Sequence, residues 1–143
     1  MKLKKTSITN YRCFKEAEID FDEHTTLIVG KNGAGKTAIL DAVAVAISTF
    51  LLGIDGGVSR SISKDDARYE FYDLDGTVDP QHQFPVSIES TGDCLDNHDV
   101  KWVRSLNSES GNTTVKEAKE LTNRKEQIRI LDNGEIYMPA AQT

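Results

Sequence analysis

Cysteine is scarce: Cys13 and Cys94 are the two in 143 residues. They lie far apart without C-x-x-C spacing. That excludes a disulfide-stapled scaffold and a zinc ribbon, and it fits the reduced thiols of a cytoplasmic chain. Positive charge is not in excess, with 17 Lys and Arg against 23 Asp and Glu and a net charge of −6. A global electrostatic footprint for nucleic acid is therefore absent. Long apolar runs are lacking too. Residues 42–52 form the longest, broken by Ser48 and Thr49, and read as too short to span a bilayer. Lys2, Lys4 and Lys5 lead into an alternating segment, not an apolar signal-peptide core, so neither a membrane partner nor secretion is expected. There are no internal repeats. What remains, 38% hydrophobic and 28% charged residues, is ordinary for one globular domain.

Against that plain background stands one dense motif. Gly30, Lys31, Asn32, Gly33, Ala34, Gly35, Lys36 and Thr37 match the phosphate-binding pattern G-x-x-x-x-G-K-[ST]. Residues 25–29 (Thr-Thr-Leu-Ile-Val) read as a buried strand before it, and residues 38–52 as a helix after it, ended by Gly53. Strand, glycine loop and helix is the context the motif requires. The three glycines let the backbone take positive φ and turn successive N–H groups inward. The helix start adds free amides and the positive end of its dipole. Lys36 places an ammonium on the outer phosphates, and the Thr37 hydroxyl is suited to Mg²⁺. The plain alternative is a Gly-rich turn with an exposed Lys.

Residues 3–11 and 17–21 alternate polar and apolar, which reads as two antiparallel strands joined through Arg12 and leading into the parallel loop strand of a mixed sheet. The helix is apolar nearly all round, and Ile39, Leu40, Val43, Ala46, Ile47 and Phe50 form its expected buried stripe. Asp41, its one charged residue, reads as a partner of the helix dipole. Arg12, a planar cation at a strand end, is placed to stack on or hydrogen-bond a ligand. Surface display in a turn is the alternative.

Further along, residues 53–83 read as a flexible connection with a turn at 73–76. Residues 85–90 and 100–106 are strands flanking an acidic loop at 91–99. Residues 114–124 read as a helix opened by a capping box of Thr113 or Thr114 with Glu117. Residues 128–137, with Asn133-Gly134 at the centre, read as a hairpin; the competing reading, a Walker B strand ending at Asp132, is weakened by Arg129 and by the lack of a following Glu. Cys94 and His98 alone do not make a metal site.

Residues 8–14, then Phe21, residues 27–29 and residues 30–43, resemble the N-terminus of the RecF/SMC/OLD branch of the ABC-type ATPases. Within it, the likeness is greatest to bacterial AAA-family ATP-binding proteins once described as involved in virulence, and the PtuA-like anti-phage ATPases are similar. The resemblance implies an α/β fold: a P-loop NTPase head of ABC/RecF type, N-terminal lobe, with a mixed sheet and an antiparallel β-subdomain. On that reading residues 1–52 hold the strands, loop and helix, residues 53–83 connect, and residues 84–143 hold a hairpin, a helix and a hairpin. It implies ATP and Mg²⁺ as ligands, with Arg12 beside the base and ribose and Lys36 and Thr37 at the phosphates. Lys36 is a phosphate stabiliser rather than a catalytic residue. Hydrolysis requires in addition a Mg²⁺-holding acid, a water-positioning residue and a signature motif from a second head. The expectation is therefore the N-terminal part of a longer ATPase, or a truncated member, inactive alone, completed by a head-to-head dimer or a partner chain. DNA repair and anti-phage defence, and DNA or a nuclease as partner, all stay open. So does a non-hydrolysing module whose nucleotide only biases an interaction surface.

Overall fold

The computed structural model describes residues 1–54, 56–122, 129–130 and 136–137. Strands β1 (Lys2–Tyr11) and β2 (Phe14–Asp20) form a hairpin, as their alternation requires. Helix α1 (Lys36–Ser48) tightens into a 3₁₀ turn over Thr49–Gly53. After a 3₁₀ turn at Lys64–Asp66, β3 (Tyr69–Leu74) and β4 (Thr77–His82) make a separate hairpin. Strands β5 (Val86–Cys94), β6 (Asn97–Leu106) and β7 (Thr114–Lys116) return to the main sheet, whose order is β2-β1-β5-β6-β7. Short α2 (Lys119–Thr122) follows, and β8 (Arg129–Ile130) pairs with β9 (Ile136–Tyr137). Every described strand pair is antiparallel.

Period two sorts the main sheet into faces. Thr6, Ile8, Val86, Ile88, Ser90, Val100, Trp102 and Leu106 are buried, while Glu18, Glu89 and Lys101 are exposed on the other side. Helix α1 crosses the buried face with Ala38, Ala42, Val45 and Ala46. Three of these four are alanines, so helix and sheet approach closely. Trp102 fills the gap they leave, and its indole Nε1 donates to the Ala46 carbonyl at 3.0 Å. The hydroxyls of Thr6 and Ser90 satisfy each other at 3.0 Å inside the sheet.

Several expectations need correction. Residues 25–29 form no strand: Leu27 is 81% and Val29 77% exposed. A buried parallel strand needs ladder partners on its edges, and none of the described strands supplies one. The parallel part of the expected mixed sheet is thus not among the described pairings. The buried stripe of α1 is rotated from the expected one, leaving Leu40 and Ile47 exposed, because the alanine face, not the bulky one, gives the closest fit to the sheet. Residues 53–83 are not simply a connection but carry the β3–β4 hairpin around the expected turn at Asp75 and Gly76. The acidic loop shrinks to Leu95 and Asp96, with β5 and β6 running on to a Cys94–Asn97 pair. The helix expected at 114–124 is replaced by β7, which adds to β6, and by the single turn α2; Glu117, at φ 57, lies between them outside helical conformation. Edge pairing with β6 outweighs the local capping signal there. The hairpin strands expected within 128–137 pair as read, and their Asn133-Gly134 turn lies outside the described residues. Residues 36–53 are, against expectation, long and apolar enough to cross a membrane by length and composition (18 residues, mean hydropathy 1.6). A third of this stretch is buried, through the face of α1 that packs on the sheet.

At the β5–β6 tip, the Lys4 ammonium sits 2.8 Å from Asp93 and 2.7 Å from Asp99. Hydrogen bonds from Lys4 and from the Asp99 amide hold the Asp93 carboxyl down at about 2. A depressed folded-state pKa stabilises the fold above the ordinary carboxylate range, and that stability is lost as pH falls through about 2. Asp93→Asn is therefore expected to flatten the acid limb of a Tm-against-pH curve between about pH 4 and pH 2. An unchanged limb would show that the pair contributes nothing.

Candidate functional site

The loop of residues 30–37 rests on the β1–β2 turn. A Cβ on Gly35 would lie 2.6 Å from the Phe14 ring and 2.7 Å from the Cys13 sulfur, so only glycine fits there. Gly35 also caps α1 at φ 96, and Gly33 has φ 81, both left-handed. Gly30, expected to share that conformation, does not; its part is to turn its carbonyl to Lys36. The Lys36 ammonium donates to the carbonyls of Gly30 and of Lys31, the second at 2.9 Å, and so straps the loop across its width. One of its three protons is left over. Ala34 N–H closes a turn onto Lys31 O at 3.1 Å.

The first intrahelical bond of α1 is Ile39 N–H to Gly35 O, 3.0 Å. The amides of Gly33, Gly35, Lys36, Thr37 and Ala38 make no hydrogen bond among the described residues. No side chain caps the helix and its first turn holds no acid. Free amides, a dipole end and a lysine thus share one exposed loop, with the Thr37 hydroxyl exposed beside them. Lys31, Asn32 and Ala34 are exposed as well. This donor set fits a polyphosphate. For Mg²⁺ it offers the Thr37 oxygen alone; among the described residues no group of three or more His, Cys, Asp or Glu could hold a metal.

Arg12 is the second half of the constellation. It occupies the β1–β2 turn at φ 51, unusual for a residue other than glycine. Its own N–H donates to Asp66 O at 2.7 Å, its Nε to the Asp66 carboxylate at 2.9 Å, and its Nη1 to Asp41. The guanidinium also lies 5.3 Å over the buried Tyr11 ring. Arg60 reaches the other Asp41 oxygen at 2.9 Å. Burial alone would lower the Arg12 pKa, yet the bonds to Asp66 and Asp41 raise it. Burial would raise that of Asp41, and Arg12 outweighs it, holding the carboxyl below its usual range. Burial also pushes the Tyr11 phenol up to about 12. Asp41 is therefore not a dipole partner; it lies beyond the first turn and is clasped by two arginines. A lone acid in an otherwise apolar helix was the signal that a cation had to reach it. Asp66 and Arg60, in polar surroundings, gave none.

Residues 5–138 match the family described as AAA domain. The chain belongs to the AAA domain family. Curated proteins similar to it include RecF proteins and a Rad50 ATPase. Over 43 residues this AAA domain is 54% identical to the DNA replication and repair protein RecF of Flavobacterium johnsoniae, covering 30% of the chain and 12% of that protein. It is 48% identical over 44 residues to the DNA double-strand break repair Rad50 ATPase of Archaeoglobus fulgidus, 31% of the chain and 5% of that protein. With the RecF of Actinobacillus pleuropneumoniae it shares 31% over 117 residues, 78% of the chain and 29% of that protein. The chain thus spans between 5% and 29% of these three relatives. A chain solved for the structural biochemistry of ATP-driven dimerization and DNA-stimulated activation of SMC ATPases superposes with a TM-score of 0.55 at 19% identity, over 87% of this chain and 77% of that one. The fold of this AAA domain is the α/β P-loop NTPase fold.

Proposed function

We propose that residues 30–37 bind the triphosphate of Mg·ATP, and that the chain is the nucleotide-binding lobe of an ATPase. The observation that carries this is the set of amides of Gly33, Gly35, Lys36, Thr37 and Ala38, unpaired among the described residues, beside Lys36 on one exposed loop. Lys36 would leave its two carbonyls for phosphate oxygens, and Thr37 would help to hold the Mg²⁺, which would supply neutralisation of the phosphate charge. Arg12, next to Gly35 through Cys13 and Phe14, would face the nucleoside. Hydrolysis belongs to the assembled protein, once a Walker B acid and the signature motif of a second head complete the site. The names of the relatives favour DNA repair and DNA as a partner, and the ATP-driven dimerization named for the SMC neighbour favours a dimer, here taken as head to head; the anti-phage resemblance keeps defence, with a nuclease partner, in view. A cytoplasmic location goes with either.

Calorimetric titration with Mg·ATP and with Mg·triphosphate tests the reading. Both are expected to bind. Arg12→Ala is expected to weaken ATP about tenfold, the loss of one charged contact, and triphosphate little. Equal losses would remove Arg12 from the nucleoside, and no binding of either ligand would remove the site. Turnover by this chain alone, abolished by Lys36→Ala, would mean that hydrolysis needs no partner.

A further inference from the structure

The β3–β4 hairpin stands outside the nucleotide reading. Its strands pair only with each other among the described residues. A lone two-stranded hairpin is marginal in water, yet this one exposes a large apolar surface. The register gathers Tyr69 with His82, Phe71 with Pro80, and Val78 opposite Asp73, all on one face. Phe71 is 72% exposed and Val78 62%. The Tyr69 and His82 rings, centroids 4.0 Å apart, brace the base of that face. The opposite face exposes Tyr72 and Leu74 beside Glu70 and Asp79, and charge is of one sign: residues 69–82 hold Glu70, Asp73, Asp75 and Asp79 and no Lys or Arg. Glu70 alone of the four forms an ion pair among the described residues, with Arg68 at 2.6 Å. Asp73 accepts the Gly76 amide at 2.9 Å and shapes the turn.

We propose that this hairpin is a docking element for another polypeptide, through a segment in which Lys or Arg alternates with aliphatic residues. Such a segment, extended, adds to the free edge of β3 by main-chain hydrogen bonds. Pro80 lacks a donor and makes β4 the poorer edge. The aliphatic side chains lie on Phe71 and Val78, and the cations, which alternation puts on the opposite face, reach Glu70 and Asp79. Charge decides the occupant. Nucleic acid is repelled by these carboxylates. A second copy brings the same acidic face against itself. A purely apolar partner leaves the carboxylates without counter-charge.

The probe is a synthetic peptide alternating Lys and Val, with a Glu/Val peptide as control, titrated by fluorescence anisotropy at low and raised salt. The Lys/Val peptide is expected to bind, more weakly as salt rises, and to shift backbone NMR signals of residues 69–82. Phe71→Ser and Val78→Ser are each expected to lower its affinity about tenfold or more. Both side chains are exposed, so circular dichroism should show the fold kept. Equal binding of the two peptides, shifts confined to other elements, or unchanged affinity in both variants overturns the proposal. So does a dimer in sedimentation that Phe71→Ser dissolves, which gives the face to a second copy. DNA shifting the same signals would overturn it as well.

Discussion

Lys36→Ala is expected to weaken Mg·ATP binding about a hundredfold in calorimetry while thermal unfolding moves by no more than a few degrees. The ammonium is the one side-chain cation that the loop itself aims inward, spanning the Gly30 and Lys31 carbonyls. Charged hydrogen bonds to phosphate contribute about 1.5–3 kcal/mol each, and a hundredfold corresponds to about 2.7 kcal/mol. The amides of residues 33–38 remain in the variant, so binding should fall without vanishing. Stability should change little because both carbonyls sit on an exposed loop where water replaces the lysine. Lys36→Arg should not rescue: the planar guanidinium is longer and wider than the compact ammonium that fits between two carbonyls of one loop. Unchanged affinity in Lys36→Ala would mean that the amides alone hold the ligand, or that the ligand binds elsewhere.

The loop was legible in the sequence because its chemistry is local. Gly33 and Gly35 need positive φ, Lys36 and Thr37 open the helix, and all of this lies within eight residues. The β1–β2 hairpin and the β5 and β6 strands were legible for the same reason, since alternation is written along each strand. What stayed hidden depends on distant segments. Residues 25–29 have strand composition, but a strand exists only when a neighbour takes up its N–H and C=O groups. Thr113, Thr114 and Glu117 spell a capping box, yet β6 offered residues 114–116 an edge, and non-local pairing won. The arginine–aspartate network joins residues 12, 41, 60 and 66, a span that no short motif records. Its sequence trace was a single acid in an apolar helix, which a dipole argument explained too readily.

Trp102→Ala should cost about 3–5 kcal/mol, the range for emptying a buried aromatic site, and lower Tm by roughly 10 °C or more for a domain of this size. Trp102 is fully buried, and its surroundings are ill-suited to collapse into the gap. Ala42 and Ala46 on α1 are already small, and Ser90 opposite it is pinned to Thr6. The substitution also orphans no polar group, since Ala46 O keeps its place in the helix ladder, so the loss reads as packing. The consequence for the site follows from geometry. Helix α1 begins at Lys36, and the indole at Ala46 fixes the far part of that helix to the sheet while Gly35 fixes its start against Phe14. Loosening one anchor should let the helix start drift from Cys13 and Phe14. ATP affinity, measured well below the new Tm, should therefore fall severalfold although residue 102 never meets the ligand. Trp102→Phe, which keeps most of the volume and loses the indole donor, should recover most of the stability and nearly all of the affinity. If Trp102→Ala unfolds early but binds ATP as tightly as the parent, the loop holds its shape without help from the sheet, and the coupling between core and site is absent.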